Sequence, residues 1–276
     1  MTEPAPLLRR HPRFPSTILA LKRDVTVYLP PGYDDDANPC PVLYMHDGQN
    51  LFEPATAHIP GQHWRLGETA DALIASGTLP PLIMVGIANT GTSRIHEYTP
   101  TRDARLGGGL ADDYGRFLVE ELKPFIDRTY RTRTDAASTG LGGSSLGGLV
   151  TMHLGLRRPD VFGALAVMSP SVWWDRRVIL SSVRAARPKP DLRVWVDMGT
   201  AEGRRGLEDA RLLKAALVGS GWVIGRDLHY AEYEDGTHSE QAWADRAGSM
   251  LTWLFGEGGG ALAATPASPD QDTART

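Results

Sequence analysis

Seven residues near the middle of the chain, Gly142-Gly143-Ser144-Ser145-Leu146-Gly147-Gly148, restrict the fold more than any other segment. They carry the spacing G-x-S-x-G around Ser145. The segment Ala136 to Leu141 leads into them, and a helical pattern from Leu146 to Arg158, closed by Pro159, follows. A serine in this setting suits a sharp strand-to-helix turn that lifts its hydroxyl out of the backbone. Glycines fit there because side chains would collide with neighbouring strands or could not take the required dihedrals. Two blander readings compete. A purely structural turn would pack helix on sheet, with Ser144 or Ser145 as N-cap. A dinucleotide-binding turn would use Gly140-Leu141-Gly142, but Ser145 occupies its third glycine position. Asp160, 20 residues beyond Gly140, also precedes the next strand instead of ending it.

Strand and helix signals alternate over the rest of the chain. Ser16 to Leu21 and Arg23 to Leu29 read as two β segments, the second alternating Val25, Val27 and Leu29. Pro41 to Met45, Leu82 to Ala88, Phe162 to Met168 and Leu192 to Met198 are apolar runs suited to strands buried on both faces. Asp227 to Glu234 reads as the last strand. Helical spacing appears over Ala111 to Asp127 through Tyr114, Leu118, Leu122 and Phe125. It recurs over Leu207 to Val218, stopped by Gly219-Ser220-Gly221, and over Ser239 to Phe255. The pattern predicts an α/β fold with a mainly parallel central sheet, an antiparallel N-terminal edge and helices on both faces. Residues 1–16 read as an N-terminal extension and 17–255 as one domain. The Gly-, Ala-, Pro- and Ser-rich 256–276 read as a disordered tail.

A net charge of −4 and the lack of a basic run argue against a nucleic-acid partner. No stretch approaches the roughly 18 apolar residues of a membrane span. The Arg9-Arg10-His11-Pro12-Arg13 segment lacks the apolar core of a signal peptide, so the expected location is cytoplasmic. Cys40 stands alone between two prolines and reads as a bystander. The Asp34-Asp35-Asp36 run reads as a solvated turn, and no metal or cofactor is expected.

A nucleophilic serine needs a base, and His238 lies between the last strand and the last helix, where a loop can swing an imidazole over the serine. His46 ends a buried strand and suits a structural role. His153 should point away from the serine. An acid should fall between nucleophile and base in chain order. Glu202, in the loop after Val194 to Met198, leads, with Asp197 and Asp235 as alternatives. The backbone N–H of Leu146, at the start of a helix, suits an oxyanion donor. The second donor should come from the loop His46 to Phe52, where Gly48 permits an unusual backbone conformation and presents the N–H of Gln49.

These motifs extend over nearly the whole folded chain. Val27-Tyr28-Leu29-Pro30-Pro31-Gly32-Tyr33, Tyr44 to Phe52, Arg94 with Glu97-Tyr98-Thr99-Pro100, Gly142 to Leu149 and Ser169 to Trp174 follow one another in order. Gly199 to Glu202 and Asp235-Gly236-Thr237-His238 with Trp243 complete the set. Together they resemble the Putative esterase family of α/β-hydrolases, which includes enterochelin esterase-like and feruloyl esterase-like enzymes. The resemblance implies Ser145 as nucleophile, His238 as base and an acid in the Gly199–Glu202 loop, where many relatives carry aspartate. It also implies that Trp173, Trp174, Arg94 and Glu97 line the substrate pocket. The expected function is cofactor-free hydrolysis of a small, sugar, phenolic or siderophore-type ester through an acyl-enzyme. An acyltransferase and a non-catalytic binding protein on the same scaffold are the alternatives. The expected partner is a small-molecule ester, and self-association into a homo-oligomer is left open.

Overall fold

The computed structural model describes residues 6–256. Its first four strands are β1 (Leu7–Phe14), β2 (Arg23–Leu29), β3 (Val42–His46) and β4 (Ile83–Ile87). A two-stranded ribbon, β5 (Arg102–Asp103) with β6 (Gly107–Gly108), stands apart from the main sheet. The remaining strands are β7 (Thr139–Ser144), β8 (Ala164–Met168), β9 (Arg193–Gly199) and β10 (Leu228–Tyr233). The sheet runs in the order β1-β2-β4-β3-β7-β8-β9-β10. Pairings β1–β2 and β2–β4 are antiparallel, and every pairing from β4 to β10 is parallel. The mainly parallel sheet with an antiparallel N-terminal edge is therefore as the sequence predicts.

Helices α1 (Leu66–Ala75), α2 (Arg94–Glu97), α3 (Ala111–Arg116), α4 (Lys123–Thr129), α5 (Leu146–Arg157), α6 (Trp174–Ala185), α7 (Arg204–Gly219) and α8 (Glu240–Phe255) cover the sheet. Strand residues alternate between faces, so the sheet builds two cores. Val25, Val27, Val85, Leu141, Val167 and Val196 pack with Tyr114 of α3, Leu149 of α5, Val183 of α6 and Leu213 of α7. On the other face Met45, Met84, Ala166 and Trp195 pack with Leu66 of α1 and with Trp243 and Met250 of α8. β3, β4 and β8 are buried at every residue, which explains their uninterrupted apolar runs.

Three features depart from the sequence expectations. The edge strand is formed by Leu7–Phe14, inside the segment read as an extension, while residues 16–21 form bends. Thr17 gives its N–H and its hydroxyl to Glu121 Oε1, 104 residues away, so that N–H is not free for a strand ladder. The helix over 111–129 widens into a π segment at Phe117–Leu122, immediately before Pro124. Proline has no N–H to donate and its ring crowds the carbonyl four residues back, and a wider turn relieves both problems. Helices α1 and α6 were not anticipated. The expected disordered tail lies, from residue 257 onward, outside the described residues. Among the described residues no helix is long and apolar enough to cross a membrane.

A buried ion pair ties the antiparallel edge to α2. Arg23, at the start of β2, donates from Nη1 and Nη2 to the two oxygens of Glu97, at 3.0 and 2.9 Å. Both residues are buried, and the guanidinium lies 4.9 Å from the Phe117 ring centroid. Removing one partner leaves a buried charge uncompensated. Glu97→Ala should therefore cost about 3–5 kcal/mol in urea unfolding, and Arg23→Met/Glu97→Leu should recover most of that loss. A single-variant loss within about 0.5 kcal/mol, ordinary for a surface substitution, would contradict this account.

Candidate active site

β7 delivers the serine. Ser145 follows its last residue at φ 60° and ψ −123°, outside the regions where side-chain-bearing residues usually rest. α5 begins at the next residue. The positive φ falls on the serine itself and on none of the flanking glycines. Those glycines serve close packing. A Cβ on Gly142 would stand 2.7 Å from Ala166 Cβ, and one on Gly148 would stand 2.8 Å from the Met168 carbonyl oxygen. The chain leaving β8 fastens the turn: Ser145 N–H donates to Met168 O at 3.0 Å and Ser171 N–H to Ser145 O at 3.0 Å. The Ser145 and Ser171 hydroxyls are 3.4 Å apart.

β9 and the turn after it deliver the acid. Glu202 ends a short 3-10 turn, Thr200–Glu202, and its Oε2 lies 2.6 Å from His238 Nδ1. Its Oε1 accepts from Ser169 Oγ at 2.6 Å and from the Gly199 N–H at 2.9 Å. Burial pushes this carboxyl up, but bonds from His238, Ser169 and Gly199 outweigh that and hold it below its ordinary value. Neither alternative acid reaches His238. Asp197 is fully buried and is held by Arg246 Nη1 at 3.0 Å and Trp195 Nε1 at 2.8 Å. Burial raises it to about 6 despite the opposing pull of Arg246. Asp235 is exposed, and its N–H bonds Thr200 Oγ1.

Ser145, His238 and Gln49 line one cavity of about 650 Å³, together with Asp47, Asn50, Arg94, Glu240 and Trp243. His238 is half-exposed and meets the Trp243 ring edge-on, with centroids 4.9 Å apart. No hydrogen bond joins Ser145 to His238 among the described residues. Catalytic bonds are often long before substrate binds, so the imidazole's freedom is compatible with a role there. The Leu146 N–H belongs to the first turn of α5, where a helix offers no internal acceptor.

In the loop after β3 the expectation about Gly48 needs correction. The left-handed residue is Asp47, at φ 56° and ψ 43°. Gly48 is required by contact with β4, since a Cβ there would stand 2.3 Å from the Gly86 carbonyl carbon. Asp47 takes Arg94 Nε and Nη2, each at 2.7 Å, and Asn89 Nδ2 at 2.7 Å. Arg94 lines the cavity. Glu97 does not: it is buried in the pair with Arg23. Trp174 is also buried, with its indole N–H on Thr101 O at 3.1 Å. Trp173 is 41% exposed and stacks obliquely on Trp174, and neither tryptophan lines the cavity.

His46 packs under the serine turn, bonded through Nδ1 to Tyr114 Oη at 2.9 Å, and burial drives it down to about 3. His153 points away, to Asp112. Sequence reasoning missed Asn50, Asn89, Ser169, Ser171, Glu240 and Arg246 as parts of this region. The adjacency of Ser169 and Ser171 to the Trp173-Trp174 motif was the available signal. Among the described residues no three His, Cys, Asp or Glu side chains converge as a metal site.

A mainly parallel sheet with a serine on a strained strand-to-helix turn at its carboxyl edge is the architecture of an α/β-hydrolase. The BES protein of Bacillus cereus shares it, with a TM-score of 0.73 at 19% identity over 92% of this chain and 96% of that one. In sequence, the chain is 26% identical over 249 residues to the uncharacterized protein YbbA of Bacillus subtilis, covering 85% of this chain and 93% of that protein. It is 28% identical over 155 residues to a siderophore enterobactin esterase of Emericella nidulans, covering 51% of this chain but only 50% of that protein. The model of the family described as Putative esterase matches residues 16–254, and the chain belongs to that family.

The Glu202 environment sets a pH dependence. A carboxyl held below its ordinary 4.5 stabilises the fold fully above that value and loses its contribution as pH falls through the folded value. Glu202→Gln should therefore lower the urea midpoint near neutrality and flatten its decline below about pH 4.5. Parallel wild-type and variant curves through the acid range would refute the assignment.

Proposed function

We propose that the chain is a serine carboxylic-ester hydrolase working through an acyl-enzyme. The observation that carries this reading is the convergence on one cavity of a strained Ser145 and of His238, whose Nδ1 is 2.6 Å from the buried Glu202. Membership of an esterase family supports it, as does similarity to a relative named for siderophore ester cleavage.

The proposed steps assign each group one role. Glu202 accepts a hydrogen bond from the Nδ1–H of neutral His238, which leaves the Nε2 lone pair free to act as base. His238 swings onto Ser145 Oγ and takes its proton as the oxygen attacks the acyl carbonyl. The new oxyanion is met by the N–H of Leu146, at the positive end of α5, and by the N–H of Gln49. The imidazolium, stabilised by Glu202, then protonates the departing alcohol. A water deprotonated by the same imidazole releases the acid and restores Ser145. Ser171, 3.4 Å from the Ser145 hydroxyl, positions that hydroxyl in the resting state.

Ser145→Ala should lower kcat on p-nitrophenyl acetate by at least about 10³-fold and abolish labelling by a fluorophosphonate, with an unchanged circular dichroism spectrum. Retained turnover in a folded variant would overturn the proposal.

A further inference from the structure

The charges lining the cavity do not balance. With its histidines counted neutral, it holds two carboxylates, Asp47 and Glu240, against one guanidinium, Arg94, which leaves one negative charge in excess. Asp47 and Arg94 cancel each other in place through two bonds of 2.7 Å. Among the described residues no ion pair within 4 Å joins Glu240 to a cation, and Arg94 and His238 act on it only from a longer range. Glu240 Oε1 accepts from Asn50 Nδ2 at 2.6 Å, and its Oε2 has no hydrogen-bond partner among the described residues.

The orientation of Glu240 is fixed independently. Asn50 Oδ1 accepts the His58 N–H at 2.9 Å, so the amide must turn its NH₂ toward Glu240. Ser239 caps α8 through the Ala242 N–H and holds Glu240 in the first helical turn. Burial, and then the nearby Asp47, push the Glu240 carboxyl up, and this outweighs the opposing pull of His238, Arg94 and the Asn50 bond. Glu240 and Ser145 line the same cavity. Glu240 lies only two residues along the chain from His238.

Resting on the ester-hydrolase reading above, we propose that Glu240 selects the substrate: its free oxygen receives a hydroxyl or a cationic group on the ester, and its charge rejects esters that carry a carboxylate near the scissile bond. The preferred substrate class is a hydroxylated or cationic ester. An acid on the substrate would meet the excess negative charge of the cavity, with Arg94 already engaged by Asp47. A hydroxyl would complete the open valence of Oε2 at little cost in desolvation.

The test compares kcat/KM by pH-stat for acetylcholine, 2-hydroxyethyl acetate and O-acetylglycolate. Wild-type protein should favour the first two over the third by roughly tenfold or more, the effect of one partly solvated charge at short range. Glu240→Gln keeps the acceptor for Asn50 and removes the charge, so the acetylcholine to O-acetylglycolate ratio should fall by about tenfold. Both rates come from one preparation, so any loss of folded protein cancels from the ratio. Glu120→Gln, the same charge change on an exposed helix surface, should leave the ratio unaltered. Equal rates on the cationic and anionic esters, or an unaltered ratio in Glu240→Gln, would overturn this inference alone. Failure of Ser145 to react with a fluorophosphonate would remove the ester-hydrolase reading and this inference with it.

Discussion

Four residues leaving β8, Met168-Ser169-Pro170-Ser171, grip the Ser145 turn and the acid at once. Met168 O takes the Ser145 N–H, Ser171 N–H reaches Ser145 O, and the two serine hydroxyls approach to 3.4 Å. A non-glycine residue at φ 60° and ψ −123° costs on the order of 1–3 kcal/mol, so the conformation survives only because neighbouring backbone imposes it. Gly148 lets α5 approach closely enough for these bonds to form, since any Cβ there would strike the Met168 carbonyl. Ser169, itself at φ 40°, turns its hydroxyl the other way and donates to Glu202. Strand β8 therefore sets the serine and the acid in a common frame.

The acid side of that frame is held by buried charge. Ser169 Oγ gives its proton to Glu202 and receives from Trp243 Nε1 at 3.0 Å, with Arg246 Nη2 at 3.4 Å. Arg246 also binds Asp197 Oδ1, and its Nη2 lies 3.6 Å from Glu202. Two carboxylates thus share one guanidinium, and their environments separate their roles. Asp197, fully enclosed and outside the cavity lining, anchors Arg246. Glu202 keeps one oxygen for the imidazole. Such a network is stable only while each member is satisfied, so it fixes α8 against β9 as firmly as it fixes Glu202.

Legibility followed the range of the determining contact. The parallel strands, β2 and the strand-to-helix turn at Ser145 are legible because periodicity and glycine spacing are local signals, whereas β1 is not, since Leu7–Phe14 lies in the segment read as an extension. The choice between Glu202 and Asp197 was not readable, because it depends on which way Asp197 faces from β9 and on Arg246, 49 residues away. Arg94 and Glu97 looked equivalent in sequence. Arg23, 74 residues from Glu97, draws that carboxylate into the core, while Asp47 holds Arg94 at the cavity. Adjacent Trp173 and Trp174 differ likewise, one exposed and one fully buried. Helix α6 escaped notice because Asp175, Arg176 and Arg177 open it at positive φ with no side-chain cap. No start signal precedes it.

The segment from Asp235 to Glu240 concentrates what this site can do. Asp235 adopts φ 55°, and the Gly236 carbonyl lies so near Gly199 that a Cβ there would stand 2.1 Å away. The segment is thereby clamped to the end of β9, beside Glu202. His238 projects from that clamp, bonded to Glu202 and meeting the Trp243 ring edge-on, and Glu240 follows within the first turn of α8. On the reading proposed above, the imidazole carries the proton between serine and alcohol, while Asn50 and the Ser239 cap hold the carboxylate two residues on. Substrate recognition by that carboxylate then does not depend on where the imidazole stands in the cycle.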